Sequence, residues 1–477
     1  MNDLPNTGAF PLSELAFDVR QFGPIKTDST FTVKPLTLLC GPNNAGKTWV
    51  MYALYGFLSR FAQGAPLPEI GDIAKTLAEQ GEYQWDMVAW LTKHGQGVID
   101  IIHQGTNGRL PRIFSTEAEL LKPAAFNLKI SSSRLAERCK SKAFDFRLSI
   151  GREKNDALRI YKAAGEDHAQ LTLLAQRLPD LKFRIADAVM DFLLDLDGDN
   201  KAFLMPAERN GLHLFFRELA STRTALLHHA TKPEIDVAKL IKDVISSRYA
   251  EPIADYIDWL NVIHQLRKQR NNTLHHWAEQ VKQIAGGRYD VDAEGNIFFT
   301  PGVISRNTKG APKLGLHMTS STAKSLFGLW FYLEHEAKPG DTLMIDEPEL
   351  NLHPDNQRKV AKLLVQLVNA GIRVVISTHS DYMVREINNL IMLNTPFPGR
   401  EDLIKKFHYE GCDFLNPEYV AAYLFDRGSI QPMEIDENEG IIAATFDNVI
   451  NALNRSSDEI FYTRRDSSED SDVQSST

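Results

Sequence analysis

Lys47 and Thr48 close a glycine-bounded stretch, GPNNAGKT (Gly41–Thr48), whose spacing is the one a backbone needs to wrap a phosphate. Gly41 and Gly46 let the loop Pro42, Asn43, Asn44, Ala45 turn so that its N–H groups face phosphate oxygens. Lys47 would reach the β- and γ-phosphates, and the Thr48 hydroxyl would bind Mg²⁺, a hard ion that prefers oxygen ligands. A second stretch, TLMIDEPELNLHP (Thr342–Pro354), ends an apolar run on the pair Asp346-Glu347. Asp346 suits the metal ion, directly or through water, and Glu347 can polarise an attacking water. The bland alternative is an acidic turn capping the next helix. A third stretch, IRVVISTHSDYMV, ends an apolar run on Ser377-Thr378-His379-Ser380. His379 at a strand's carboxyl end can hydrogen-bond a γ-phosphate or the water. The catalytic candidates are therefore Lys47, Glu347 and His379, with ATP and Mg²⁺ as cofactors. His353 could contact a neighbouring subunit or simply cap the following helix.

Elements must carry these groups to one place. An apolar strand, LTLLC, precedes the loop, and a helix with apolar spacing follows it. TLMID and IRVVIS read as buried strands, and ligands of open α/β sheets bind at the carboxyl ends of such strands. Residues 15–40 read as a β-ribbon with a turn at Gly23-Pro24. Between 65 and 200 helices mix with strands expected at GVIDIIHQ and FDFRLSIG, the former ending at Gln104. KAFLMPAERNG reads as a strand, a proline break and a helix, and Arg209 in it could sense nucleotide, bind a partner or form a structural ion pair. Residues 233–285 are helical and charged, with Trp259, Leu260, Ile263, Leu266 and Trp277 among many polar residues, and read as a protruding arm. GGRYDVDAEGNIFFTP is a hairpin around Glu294-Gly295. HMTSSTAKSLFGLWFYLEHE starts a helix, and Ser320 or Ser321 would cap it. The Ser/Asp/Glu-rich end reads as disordered.

Bulk properties narrow the class. The 477 residues are 43% hydrophobic and 24% charged, ordinary values for a globular protein of more than one lobe. No apolar run approaches a membrane span, and MNDLPNTGAF lacks the features of a signal peptide, so neither membrane nor secretion is expected. Three cysteines without CxxC spacing fit a reducing cytoplasm rather than a disulfide or zinc framework. A net charge of −9 argues against general nucleic-acid binding.

Taken together, LTLLCGPNNAGKT, LMIDEPELNLHPDNQ and VVISTHSDYMV resemble the ATP-binding-cassette ATPases of the RecF, SMC and OLD group, in the branch labelled AAA15/AAA21. FLMPAERNG resembles that branch's PAeR element, and YLFDRGSI its C-terminal part. The resemblance implies an α/β ABC-ATPase head: a mixed sheet with the phosphate loop (Walker A), an antiparallel β subdomain and a helical arm or lid. It implies an N-terminal lobe at 1–210 with a mixed insertion at about 60–200, an arm at 211–290, a C-terminal lobe at 291–455 holding a signature-like motif, Walker B and the histidine, and a tail at 456–477. It also implies that ATP sits between two protomers of a homo-oligomer, with Ser320 or Ser321 of one reaching the γ-phosphate held by the other, aided by Lys324. The glycine that usually follows these serines is replaced by Thr322-Ala323, so weak or regulated hydrolysis would follow.

OLD-type nucleases carry a Toprim domain after the head; the residues after about 400 are too few for one, and Glu434–Gly440 is an acidic turn rather than a metal-ligand set. The chain thus looks like the AriA family of ATPase subunits from PARIS anti-phage defence systems. That resemblance implies a scaffold that holds a separate Toprim nuclease effector such as AriB and responds to a phage-encoded trigger protein. Two other expectations stand beside it: a RecF/SMC-like DNA-repair clamp, for which Arg267, Lys268 and Arg270 would supply the basic face, and the ATPase of another two-gene system with an HNH nuclease.

Overall fold

The computed structural model describes residues 15–60, 65–150, 155–175, 178–194, 201–229, 249–269, 273–302, 312–442 and 455–464. Three strands open the described chain: β1 (Leu15–Arg20), β2 (Ser29–Val33) and β3 (Leu36–Cys40). The first two alternate buried and half-buried residues and pair antiparallel, so the ribbon expected here forms, while β3 leaves it for another sheet. The phosphate-loop helix, Lys47–Arg60, follows.

The insertion comes next. It holds β4 (Glu82–Asp86), a long helix Met87–Ile113, β5 (Ala125–Leu128) and the antiparallel strands β6 (Phe144–Ile150), β7 (Asn155–Lys162) and β8 (His168–Leu173). FDFRLSIG is thus a strand as expected, but GVIDIIHQ lies inside the long helix. The apolar residues there repeat at helical spacing, with Gly95, Val98, Ile99, Ile102, Thr106 and Leu110 buried on one face. Asp86 starts the helix by accepting a hydrogen bond from the Ala89 N–H, 2.8 Å. Gln104 is consequently an exposed helical residue, not a strand-end ligand.

The remaining strands are β9 (Ala202–Met205), the hairpin β10 (Gly287–Val291) and β11 (Ile297–Pro301) with the short β12 (Leu314–Gly315), then β13 (Thr342–Asp346), β14 (Arg373–Thr378), β15 (Val420–Asp426) and β16 (Ser429–Pro432). Six strands form the central sheet in the order β16-β15-β3-β14-β13-β9, all parallel except β16 at one edge. β3, β13 and β14 are wholly buried and mostly apolar, as parallel strands covered on both faces must be. Alternate residues supply two cores. Leu39, Met344 and Val375 face the β1–β2–β5 sheet and the insertion, while Leu38, Ile345 and Ile376 face the helical layer. This is the α/β head with its antiparallel β subdomain and helical insertion.

The helical layer corrects one expectation. The helices at Glu251–Leu266 and His275–Ala285 do not protrude as an arm. Leu260 and Ile263 are fully buried, Trp277 is buried, Trp259 packs half-buried against Phe331 of the helix Ser321–His335, and Leu266 is half-buried against the same core. The charged residues between them hid an apolar face at the spacing i, i+3, i+4. Residues 230–248 lie outside the described residues. In the acidic tail, 455–464 form an exposed helix, and 465–477 also lie outside. No helix among the described residues is long and apolar enough to cross a membrane.

Candidate active site

Register brings the three sequence stretches together. Ser377 pairs with Asp346 across β13 and β14, and Thr378 pairs with Cys40 across β14 and β3. The carboxyl ends of β3, β14, β13 and β9 therefore open on one edge of the sheet, where the phosphate loop, the acidic pair, His379 and PAERNG all emerge.

The loop Gly41–Gly46 turns through left-handed backbone at Gly41 (φ 137°), Asn44 (φ 62°) and Gly46 (φ 106°). Gly41 is also fixed by space, since a Cβ there would lie 2.2 Å from the Phe425 carbonyl oxygen of β15. Lys47 is buried, and its ammonium donates to the carbonyls of Gly41 and Pro42 at 3.0 and 2.9 Å. Burial lowers its pKa against the raising influence of Asp346 and Glu347. Pro42, Asn43 and Asn44 are exposed and Ala45 half-buried, which leaves the outer side of the loop open to a phosphate. Cys40, just before the loop, is buried and its thiol is pushed up to about 12, which makes it inert.

Thr48 Oγ1 donates to Asp346 Oδ2 at 3.0 Å, and Ser377 Oγ donates to Asp346 Oδ1. Burial, foremost, pushes the Asp346 carboxyl up, with Glu347 and Glu208 adding negative charge; the two hydroxyls pull it back. A divalent cation suits this donor set: a buried carboxylate and a threonine hydroxyl, both hard oxygens, already within hydrogen-bond reach of each other. Asp346, Thr48 and Lys47 would hold the metal and the phosphates to which it is bound, and the ion would supply charge neutralisation.

Glu347 follows with φ 51°, a left-handed conformation rare outside glycine. Its N–H donates to the Ser377 carbonyl (3.2 Å) and hydroxyl (3.1 Å), which turns its side chain away from β13 and into the cleft. There Glu347 Oε1 lies 3.5 Å from His379 Nε2, close enough to attract but beyond hydrogen-bond geometry. Burial lowers the His379 pKa, with the nearby Lys47 charge acting the same way, so the ring is neutral at neutral pH.

Three residues of the site escaped the sequence reading or were left open. Ser377 fixes both Asp346 and Glu347. Glu349 accepts the His379 N–H at 2.6 Å and is pushed up by burial, while its Oε2 is enclosed without a partner. Arg209 is 1% exposed and donates to the main-chain carbonyls of Asp346 and Glu347 rather than to a carboxylate. Their signal was position, a polar residue at or just past the end of a buried strand. His353 is a helix cap, accepting the Asp355 N–H at 3.3 Å.

Ser320 caps the helix Ser321–His335 by accepting the Ala323 N–H at 3.2 Å, and Ser321 beside it is exposed. Neither reaches the phosphate loop of the same chain through any hydrogen bond described. Ala323, where a glycine is usual, is fully buried with its carbonyl accepting from Tyr289, so its methyl group faces the core. Thr322 and Ser325 tie the same turn to the carbonyls of Asn351 (3.5 Å) and Leu350 (2.8 Å), just past the acidic pair.

Residues 220–384 match the family described as AAA ATPase domain, a span that takes in Asp346, Glu347 and His379 and ends well away from the phosphate loop. Among solved structures, the Smc head domain of Pyrococcus furiosus with an extended coiled coil, bound to the C-terminal domain of ScpA, is 13% identical, covering 93% of this chain and 100% of its own at a TM-score of 0.33. The SMC head domain from Thermotoga maritima is 10% identical over 88% of this chain and 99% of its own, TM-score 0.32. An SmcHead bound to the C-winged helix domain of ScpA is 12% identical over 87% and 96%, TM-score 0.32. No curated protein matches the sequence.

Proposed function

We propose that the chain binds ATP with Mg²⁺ and hydrolyses it slowly or under regulation, as the ATPase subunit of a bacterial anti-phage defence complex. The observation that carries the chemistry is the Thr48–Asp346 hydrogen bond, which joins the phosphate loop to the strand-end carboxylate beside Glu347 and His379. Lys47 holds the phosphates, Glu347 takes the proton from the attacking water, and His379 orients that water or the γ-phosphate. Lys47→Ala is expected to abolish nucleotide binding. Glu347→Gln is expected to bind nucleotide and lose turnover by about 10²-fold or more. Equal hydrolysis by Glu347→Gln and wild type would remove Glu347 as the base.

The biological role rests on resemblance. PAERNG favours the AriA-type subunit, a homo-oligomeric scaffold that holds an AriB-type Toprim nuclease and releases it on meeting a phage-encoded trigger. Of the residues the clamp alternative needs, Arg267 donates to the carbonyls of His264 and Val291, at 3.3 Å each, and Lys268 is exposed. Arg270 lies outside the described residues. Affinity purification from the native host tests the role: a Toprim nuclease in stoichiometric amount is expected. An HNH nuclease in its place, or tight duplex-DNA binding with a steep salt dependence, would favour the other readings.

A further inference from the structure

We infer that Arg209 is a positioning residue for the proposed hydrolysis, and that its helix joins the Glu347 turn to the first turn of the helix Ser321–His335 as one strut. The inference rests on the ATPase reading above. It begins from an oddity of charge. A guanidinium as enclosed as that of Arg209 ordinarily faces a carboxylate. Here Nη1 donates to the Asp346 carbonyl at 2.8 Å and to the Pro206 carbonyl at 3.2 Å, and Nη2 donates to the Glu347 carbonyl at 2.7 Å. The fork grips the two peptide units that carry the metal carboxylate and the base.

Those peptides need a grip. Glu347 holds a left-handed φ of 51°, which a β-carbon makes unfavourable, and such strain persists only where surroundings impose it. Ser377 holds the amide side of this turn and Arg209 the carbonyl side. Together they fix the direction of the Glu347 carboxylate towards His379.

The same helix reaches the other motif. His213 lies four residues after Arg209 and so on the same helical face. Its Nδ1 lies 2.8 Å from the Lys324 carbonyl, and its Nε2 lies 2.7 Å from the Tyr256 hydroxyl. A carbonyl only accepts, so Nδ1 carries the proton and Nε2 accepts from tyrosine. Lys324 stands in the first turn after Ser320 and Ser321. The helix Ser321–His335 leaves room for this pair at Gly328, where a Cβ would come 2.2 Å from the Tyr256 hydroxyl and 3.3 Å from His213 Nε2. A shift of either the turn or the serines thus pushes on one rigid piece.

The test compares Arg209→Lys, His213→Leu and the double variant with wild type in ATP turnover, binding of a fluorescent ATP analogue, and thermal melting. Lysine keeps the charge but cannot bond both carbonyls as a fork. Arg209→Lys is expected to keep its affinity within about threefold and to lose kcat by about 10- to 100-fold, since a transition-state alignment is lost and ground-state binding is not. The double variant is expected to lose little more kcat than the worse single one, because both remove the same strut. Losses that multiply would break the strut into two independent contacts. An unchanged kcat in Arg209→Lys, or a loss shared equally by affinity and kcat, would overturn the positioning role. Arg209→Gln repeats the test if Arg209→Lys does not fold, and His213→Gln replaces His213→Leu on the same ground. Wild-type protein that neither binds nor hydrolyses ATP would sink the ATPase reading itself, a result separate from all of these.

Discussion

His213 shows how far burial alone can set a residue's chemistry. It is enclosed by Tyr256, Phe327 and the backbone of Lys324, and desolvation lowers its pKa from the usual value to about 3. Folded protein therefore keeps the ring neutral where unfolded chain takes up a proton near pH 6.5. The unfolded state binds more protons below that pH, so stability is present in full above about 6.5 and drains away as pH falls towards 3. One proton corresponds to about 1.4 kcal/mol per pH unit. Urea unfolding at pH 7, 6 and 5 should show this slope in wild type, on top of what other groups contribute. His213→Gln should lower stability at pH 7 yet flatten the slope by about that one proton. Parallel slopes for the two proteins would mean that His213 is protonated in the fold. Asp346 has the opposite sense, a carboxyl raised by burial, and gains from the charge of a cation bound beside it.

Elements, rather than residues, decide which glycines matter. Gly328 and Gly211 both sit in helices, and sequence gives no reason to treat them differently. A Cβ at Gly328 meets the Tyr256 hydroxyl, the Met205 methyl and His213, whereas one at Gly211 meets nothing within 4 Å. Gly328→Ala should therefore cost about 1–3 kcal/mol as overpacking. Gly211→Ala should be neutral or gain up to about 1 kcal/mol from better helix propensity. Chemical denaturation midpoints of the two variants distinguish these outcomes. The same contrast explains what was legible beforehand. GPNNAGKT, the Asp346-Glu347 pair and His379 could be read because local spacing alone puts them at strand ends. The helical layer could not, because Leu260 and Trp277 are surrounded in sequence by charge and their burial depends on a partner helix more than forty residues away. GVIDIIHQ misled because β-branched residues suit strands, and only the wider register from Gly95 to Leu110 reveals the helical face. Arg209 was ambiguous for a related reason, since its partners are main-chain carbonyls that carry no side-chain signature.

At the scale of the whole molecule, one chain supplies most of the proposed ATP site and leaves one chemical role open. Ser320 and Ser321 are exposed at the start of a helix whose N-terminal end carries partial positive charge. Ser320 Oγ accepts from the Ala323 N–H, but an accepting hydroxyl still has its own proton to donate. Because the Ala323 methyl group is turned into the core, the missing glycine does not block this face. The proposed homo-oligomer would make a second copy of the chain the recipient, and mixing two defective proteins tests this. Lys47→Ala spoils the phosphate loop, and a Ser320→Ala/Ser321→Ala double variant spoils the donor face. If sites are shared across a two-fold dimer, each mixed dimer contains one site with both defects and one with none. At equal mixing about a quarter of the wild-type sites should return, since half the dimers are mixed and each regains one site of two. Recovery of turnover, with neither variant active alone, is the expected result. No recovery, while labelled subunits demonstrably exchange, would place every catalytic group within a single chain and assign Ser320 to capping alone.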